Sequence, residues 1–404
     1  MSVRKRTWKT ASGEAKEAWV VVYAVDGKRH HRTFDRKKDA DKFSDNMKVE
    51  VRNGVHTPDR ESITVTEAGK LWIKAATAAG LERSTIDQYE DHLEHHISPY
   101  LGRVRLSRLS APMVREFEDR LAAGTPPPGE LTGRPRSSAM VRKVRGSLGS
   151  ILADAQERGL VARNVVRELR IGRRKRGTEQ RGNKLKVGVD IPTPDEVRKI
   201  LALATPGRWR TLLLVAVFCG LRSSELRGLR WTDVDLAKGE LHVRQRADKY
   251  NVIGKPKSEA GERTIPIPSK VLAELREWKL QCPYSELGLA FPTRAGKILT
   301  HVSIIRHGVI PAVTAAGVTV RTGRTKDGHP ILEPKYAGLH SFRHFFASWC
   351  INREVDGGCE LPAKIVQERL GHATIGMTLD RYGHLFPRGD DTAELDAAAS
   401  TLLG

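Results

Sequence analysis

The residues best suited to chemistry lie near the carboxyl end and combine imidazole, guanidinium and phenol groups. Residues 340–344 read His-Ser-Phe-Arg-His, residues 370–372 read Leu-Gly-His, and residues 380–384 read Asp-Arg-Tyr-Gly-His. A guanidinium binds phosphate oxygens in a bidentate manner and is always charged. A phenol hydroxyl can attack phosphorus and hold it covalently. The set favours phosphoryl transfer on a nucleic-acid backbone, with a tyrosine as the nucleophile.

A second arginine, Arg222, follows an apolar stretch and precedes Glu225 by three residues, so both side chains lie on one helix face. Glu225 can orient Arg222 or a neighbouring basic group, and a surface ion pair is the alternative interpretation. His340 and His344 are four residues apart and could instead ligate a metal. However, the segment lacks the glutamate of a metalloprotease helix, and Arg343 would repel a cation. No glycine-rich phosphate loop is found. We therefore expect neither a metal nor another cofactor.

The composition favours a polyanionic partner. The 404 residues suffice for two or three domains, and 69 Lys and Arg against 48 Asp and Glu give a net charge of +21. A solvated basic surface is the alternative interpretation. No apolar run is long enough to span a bilayer, and no signal peptide is found. The four cysteines lack zinc-ligand spacing, so we expect them to be reduced thiols. Together with the lack of a membrane-spanning run, this predicts no membrane association and a cytoplasmic location.

Residues 1–60 are predicted to form a small sheet followed by a helix. Residues 18–24 and 28–34 have strand composition, and Asp26-Gly27 between them is a hairpin signal. Residues 35–51 have helical spacing. A sheet with one basic face can enter a DNA groove, whereas a structural hairpin with solvated side chains is the alternative. The candidate DNA-binding residues on the second strand are Lys28, Arg29 and Arg32.

Residues 62–170 are predicted to be helical, with a loop at 124–136 and a long helix at 137–158. One side of that helix is apolar and the other is basic. Such a basic side suits phosphate contacts, but a solvated helix face is an equally good interpretation. Residues 171–189 form a basic, glycine-interrupted linker. The candidate DNA-binding residues in these segments are Arg142, Lys143, Arg145, Arg173 and Arg174.

Residues 190–404 are predicted to be helical with a small embedded sheet, built from strands near 241–243 and 263–267. Thr193 and Pro194 begin the first helix. Residues 319–334 read as an extra hairpin, and the tail at 390–403 as a helix that packs on its own chain or on a neighbour. The predicted fold class is multidomain and mainly α with small β elements: a small sheet plus helix, a helical domain and a mixed α+β domain.

Residues 190–390 resemble the catalytic domain of the tyrosine recombinases, in particular the lambda-type phage integrases. The pattern of that family is arginine, lysine, histidine-x-x-arginine, histidine or tryptophan, then tyrosine. The helical segment resembles the family's core-site-binding domain, and the first segment resembles its arm-site-binding domain. In this chain the pattern is met in order by Arg222, Lys257, His340, Arg343, His372 and Tyr382.

The resemblance implies a role for each of these residues. Two arginines would clamp the scissile phosphate, and a tyrosine would attack it to form a 3′-phosphotyrosyl link. His340 would accept the phenol proton, and His372 would donate a hydrogen bond to a phosphate oxygen. Lys257 would protonate the leaving 5′ oxygen, with Lys255 as a nearby competitor. The arginines are Arg222 and Arg343, and the nucleophile is Tyr382.

The resemblance also implies the partners of a phage or mobile-element integrase. These are double-stranded DNA attachment sites and three further copies of the chain in a tetramer at synapsis, in a bacterial host cell near the nucleoid. The resemblance also allows for a host DNA-bending factor and a directionality factor. Three alternatives are a type IB topoisomerase, which religates the same strand, a catalytically inactive DNA-binding regulator, and a metal nuclease.

Overall fold

The computed structural model describes residues 2–10, 14–25, 28–52, 62–129, 132–169, 184–325, 327, 329–387 and 391–403. The chain divides into two compact units, Met1–Arg174 and Lys175–Gly404. The predicted Asp26-Gly27 turn, Arg173 and Arg174 lie outside the described residues.

The chain begins with an antiparallel sheet of order β1-β2-β3, covered by one helix. Val21, Tyr23 and Ala40 form its small core. The sequence analysis predicts β2 and β3 but not β1, because β1 is an edge strand whose mostly exposed residues carry no apolar alternation. The elements are β1 (Ser2–Lys9), β2 (Ala15–Val25), β3 (Lys28–Phe34) and α1 (Lys37–Arg52).

The rest of the first unit is helical, as predicted. Thr64 caps the first of these helices in a capping box with Glu67, and Ser137 caps the long helix α6. Apolar faces spaced at helical intervals meet in one core. The helices are α2 (Val65–Ala78), α3 (Arg83–His92), α4 (Ser98–Leu101), α5 (Ala111–Ala123), α6 (Ser138–Glu157) and α7 (Val165–Glu168), with a π-helical turn at Leu93–Ile97.

The second unit packs around α9, whose residues are apolar almost all round and therefore buried. Thr193 is the N-cap of α8, as predicted, and it forms a capping box with Glu196. Up to β8, this unit consists of α8 (Pro194–Leu203), α9 (Arg208–Cys219), α10 (Ser223–Gly228), β4 (Val234–Asp235), β5 (Glu240–Val243), β6 (Arg246–Ala247), β7 (Ile253–Gly254) and β8 (Arg263–Pro266).

Strands β4, β5 and β8 form the small predicted sheet, and β6 and β7 form a separate hairpin. The predicted extra hairpin is present as β9 and β10, and the predicted tail helix as α17. Among the described residues, no helix is long and apolar enough to cross a membrane. The remaining elements are α11 (Ser269–Gln281), α12 (His301–Ile304), α13 (Ile310–Ala315), β9 (Thr319–Arg324), β10 (Pro330–Pro334), α14 (Leu339–Ile351), α15 (Ala363–Leu370), α16 (Ile375–Tyr382) and α17 (Asp391–Leu403).

Candidate active site

The carbonyl end of α15 gathers three guanidinium groups. The last carbonyls of a helix have no partner within the helix, and the helix dipole attracts cations to them. Gly371 ends α15 in the left-handed conformation, with φ +62. The arginines come from α10's N-cap, β8 and α14, so this helix end fixes side chains from three distant parts of the sequence. The bonds are Arg263 Nε to Arg369 O at 2.7 Å, Arg222 Nη2 to Gly371 O at 2.8 Å, and Arg343 Nη2 to Leu370 O.

Arg222 and Arg263 share the buried carboxylate of Glu225. Arg222 Nη1 donates to Glu225 Oε1 at 2.7 Å, as predicted, and Arg263 Nη2 donates to Oε2 at 2.8 Å. Burial alone would raise the pKa of Glu225, but the hydrogen bonds and charge of Arg263, with Arg222 and Arg343, lower it to about 2. The carboxylate is therefore ionised at neutral pH and holds both arginines. The sequence analysis missed Arg263, although its place in β8 beside Lys257 was a usable signal.

Arg343 is the most deeply buried arginine of the site, with a relative exposure of 3%. Its second hydrogen bond runs from Nη1 to Gly220 O at 2.6 Å. Burial, with repulsion from Arg222, lowers the pKa of Arg343 to about 9. Gly220 has φ +59, and a Cβ there would lie 2.2 Å from the ring of Phe346. Only glycine therefore lets the end of α9 approach α14 closely enough to accept this bond.

Tyr382 ends α16 and is 1% exposed. Its Oη lies 2.7 Å from Nδ1 of His344. Its ring lies parallel to that of His372, with 6.4 Å between centroids and 3° between planes. Burial raises the pKa of Tyr382, and the charges of Arg343 and Arg381 oppose this only in part. The phenol is therefore protonated at neutral pH and held between two imidazoles.

His344, not His340, contacts the tyrosine hydroxyl. Burial, with the neighbouring His340 and Arg381, lowers the pKa of His344 to about 3, so this ring is neutral. His340 meets His344 edge-on, with 4.7 Å between ring centroids. Desolvation and the charge of Arg343 also lower the pKa of His340. The four-residue spacing of these histidines, considered above only as a possible metal pair, was the signal for His344.

His372 is fixed by its own loop. Its Nδ1 lies 2.9 Å from Thr378 Oγ1, and its backbone carbonyl accepts a bond from Gln367 Nε2 at 2.9 Å. Burial, followed by the charge of Arg343, lowers the pKa of His372 to about 4. The imidazole is therefore neutral, and Nδ1 is hydrogen-bonded to Thr378, so Nε2 is the nitrogen that could interact with a bound phosphate.

Lys257 lies on an exposed loop between β7 and β8, as predicted, and Lys255 is exposed on the same loop. The hairpin before the loop is held by Arg227, a buried arginine of α10 that the sequence analysis missed. Arg227 Nη1 donates to Asp248 O at 2.9 Å, and Nη2 donates to Asn251 Oδ1. Arg263 fixes the strand after the loop. The structure thus brings five of the six predicted catalytic residues together and places Lys257 on an adjoining, anchored loop.

The candidate DNA-binding residues of the first unit lie in different environments. Arg29, Arg142 and Lys143 have exposed side chains, and only the backbone of Lys28 is described. The guanidinium of Arg32 lies 4.8 Å from the centre of the Phe43 ring. Arg145 differs from its neighbours on α6, because it forms an ion pair with the nearly buried Glu118 at 3.3 Å. Its charge is thus partly committed within the protein.

The structure also bears on the metal alternative. Across the described part of the chain, no three histidine, cysteine or acidic residues are grouped so that they could hold a metal ion. His344 uses one ring nitrogen on Tyr382. The four cysteines, Cys219, Cys282, Cys350 and Cys359, are free thiols.

Comparison with known proteins shows which proteins this chain is similar to. Residues 192–388 match the model of the phage integrase family. The chain is 24% identical over 375 residues to a protein named tyrosine recombinase XerC-like from Caldanaerobacter subterraneus subsp. tengcongensis, covering 87% of each chain. It is similar to the Tn1549 transposon integrase in complex with circular intermediate DNA, with a TM-score of 0.61, 18% identity and coverage of 84% of this chain and 100% of that one.

The fold is also similar to that of lambda integrase, solved as a tetramer bound to a Holliday junction. The TM-score is 0.52, with 17% identity and coverage of 91% of this chain and 95% of that one. The tyrosine recombinase resemblance and the multidomain, mainly helical fold class predicted from the sequence are confirmed.

Proposed function

We propose, from the membership of residues 192–388 in the phage integrase family, that this chain is a site-specific DNA recombinase of a phage or mobile element. It breaks and rejoins DNA strands through a 3′-phosphotyrosyl intermediate. One observation carries the proposal: Arg222 and Arg343 are fixed on the helix end that leads into His372, whose ring lies parallel to that of Tyr382. This arrangement supports the assignment of two phosphate-binding groups and a nucleophile to one site.

In the first step, the Tyr382 oxygen attacks the phosphorus of a phosphodiester, and the bond to the 5′ oxygen breaks. Negative charge grows on the non-bridging oxygens, where Arg222 and Arg343 stabilise it. The phenol proton passes to His340 once Tyr382 has left its hydrogen bond with His344. His344 is a poor base, because burial lowers its pKa to about 3, so we assign it the positioning of the hydroxyl.

Lys257 gives a proton to the departing 5′ oxygen, which is a poor leaving group as an alkoxide. His372 donates a hydrogen bond from its free ring nitrogen to a phosphate oxygen. In the reverse step, a 5′ hydroxyl of the partner duplex attacks the phosphotyrosyl link and releases Tyr382. The covalent link conserves the energy of the broken bond, so the reaction needs no nucleotide cofactor.

Tyr382 must become accessible before it can react, because it is 1% exposed. We infer that assembly on DNA moves α16 and the turn after it. The exposed apolar residues of α16 and of the tail helix α17 support contacts between copies of the chain in a tetramer. These residues are Ile375, Met377, Leu379, Leu395, Leu402 and Leu403.

We assign the other segments by the same proposal. Residues 1–60 bind arm sites, residues 62–170 bind the core site, residues 171–189 link them to the rest, and residues 190–404 hold the catalytic domain and tail. Arg29, Arg142 and Lys143 support this, because their exposed charges can contact phosphates. A DNA-bending host factor and a directionality factor complete the proposed assembly.

Capture of a covalent adduct tests the proposal. Wild-type protein is incubated with a library of nicked, random-sequence duplexes, and DNA that stays attached in detergent is sequenced. We expect adducts at a recurrent sequence, linked through a 3′ phosphate to Tyr382, and none with Tyr382→Phe. Adducts that persist in Tyr382→Phe, or none with wild type, would contradict the proposal.

The recovered sequence then separates recombination from simple relaxation. Two duplexes that carry it should give recombinant products and four-way junctions. A type IB topoisomerase would instead relax a supercoiled plasmid that lacks the sequence and would give no exchanged strands. An inactive regulator would bind the sequence without forming the covalent link.

A further inference from the structure

A second basic site lies in the catalytic unit, away from the residues assigned to catalysis. It is a cleft of about 380 Å³ between the start of α9, the loop before α12 and the π-helical turn Ile305–Val309. We propose that this cleft binds a backbone phosphate of the DNA duplex, several nucleotides from the phosphate that is cleaved. This inference rests on the proposed function. The residues that line the cleft include Arg208, Trp209, Thr293, Arg294, Ser303 and His307.

The side chains that line the cleft include two arginines, Arg208 and Arg294. No acidic residue is found among its described lining residues. Arg208 and Arg294 lie near enough to interact electrostatically, and burial together with the charge of Arg294 lowers the pKa of Arg208. Two guanidinium groups that repel each other in a partly desolvated cleft favour an anion between them. Phosphate fits best, because its oxygens match the planar fork of arginine.

The cleft is built from fixed parts. The Arg208 guanidinium lies 4.9 Å from the centre of the Trp209 ring, and its Nη1 donates to Pro292 O at 2.7 Å. Its buried Nε has no hydrogen-bond partner within the described structure. Trp209 packs in turn near His307, with 6.4 Å between ring centroids. The contacts with Trp209 and Pro292 therefore hold Arg208 in place, as a preorganised anion site requires.

One continuous segment joins the cleft to the active site. His301 Nδ1 lies 2.7 Å from Oγ of Ser223, which directly follows Arg222. Ser303 and His307 continue the same helical segment toward the cleft. Helix α9 carries Arg208 at its start and leads to the Arg222 turn at its end, and its twelve residues span about 17 Å, since each residue rises about 1.5 Å. A duplex advances about 3.4 Å per base pair, so the cleft suits a phosphate within roughly five steps of the cleavage point.

A phosphate bound there would set the position of the duplex without reading its sequence, because backbone contacts carry no direct base information. The contact would add to affinity and to its salt dependence. It would leave the chemical step unchanged once DNA is saturating.

The test compares the full-length variant Arg294→Met with wild type. Binding of a fluorescent 30-base-pair duplex is measured by anisotropy at several salt concentrations. We expect a roughly threefold to tenfold weaker Kd, and a plot of log K against log salt whose slope is smaller in magnitude by about 0.9, the value for one phosphate contact. Arg353→Met, which removes an arginine that is ion-paired with Asp356, is the matched control and should change neither quantity.

A slope for Arg294→Met equal to that of wild type would refute the phosphate contact. A second outcome would also refute it. In that outcome, Arg294→Met abolishes the binding of inorganic phosphate to the cleft, measured by calorimetry, but leaves DNA binding unchanged. Adduct formation at saturating DNA should stay within about twofold of wild type. If wild-type protein forms no adduct at all, the proposed function fails, yet the binding slope still reports on the cleft.

Discussion

The hydroxyl of Tyr382 is hydrogen-bonded to Nδ1 of His344 at 2.7 Å, in a buried environment where neither group contacts solvent freely. A buried polar group without its partner costs about 1–3 kcal/mol. We therefore expect His344→Leu to lower the free energy of unfolding by about that amount, as measured by urea denaturation. Adduct formation should also slow, because the phenol loses the group that positions it.

The matched control is a double-mutant cycle with Tyr382→Phe. Each single variant leaves one buried partner unmatched, whereas the double variant removes both. The double variant should therefore be more stable than the sum of the single changes predicts, by about 0.5–3 kcal/mol. Strictly additive changes would show that the hydrogen bond contributes nothing.

Arg222 and Arg343 should respond differently to replacement by lysine. An ammonium cannot reproduce the two-pronged contacts of Arg222 with Glu225 and Gly371, so Arg222→Lys should reduce the adduct rate by about 100- to 1000-fold. Its side chain is 35% exposed, so stability should change by less than about 1 kcal/mol. Arg343→Lys should lower both rate and stability, since Arg343 is 3% exposed and bonded to two backbone carbonyls. Single-turnover adduct kinetics and urea unfolding measure the two effects, and equal stability losses would contradict this distinction.

Lys257 is assigned the protonation of the leaving oxygen. Lys257→Met should slow cleavage of ordinary DNA by about 100-fold or more. A substrate with sulfur in place of the bridging 5′ oxygen should restore most of the rate, because a thiol has a pKa of about 8.5 and leaves without protonation. Lys255→Met is the control on the same loop and should cleave both substrates normally. If sulfur rescues Lys255→Met instead, the two lysines exchange roles.

Gly371 is expected to tolerate no side chain. Its φ is +62, and a Cβ would lie 2.8 Å from Ala260 O and 2.9 Å from Arg263 Nη1. Gly371→Ala should therefore destabilise the protein by at least about 1 kcal/mol and disturb the contact between the His372 turn and the Lys257 loop. Gly376→Ala is the control within α16, where the nearest atom would lie 3.7 Å away. It should be neutral or stabilising by up to about 1 kcal/mol in thermal unfolding.

Glu225 should make stability depend on pH in acid. Its pKa is about 2 in the folded chain against 4.5 for an ordinary glutamate, so its contribution is fully present above pH 4.5 and is lost as the pH falls toward 2. The difference corresponds to about 3 kcal/mol. Glu225→Gln should be less stable than wild type at pH 7 and should lack this dependence in urea unfolding between pH 5 and 3. Glu368→Gln, which alters an exposed carboxylate, should show the same pH dependence of the free energy of unfolding as wild type.

The sequence by itself determined the helices, most strands and the catalytic residue types. Local rules are enough for these: Thr193 and Pro194 begin a helix, and the apolar run of α9 must be buried. The order of arginine, lysine, histidines and tyrosine was sufficient to predict the family. The edge strand β1 escaped prediction because exposed residues leave no periodic pattern.

Which groups meet at the site follows from the packing of the folded chain. Three arginines bind the same helix end, although they lie up to 149 residues from their acceptors in the sequence: Arg222, Arg263 and Arg343. No local sequence pattern encodes such a contact. The same holds for His344, whose buried ring is hydrogen-bonded to the hydroxyl of Tyr382, 38 residues away in the sequence. These contacts depend on how α9, α14, α15 and α16 pack. Packing is set by the whole core at once, so it cannot be read from one segment of the chain.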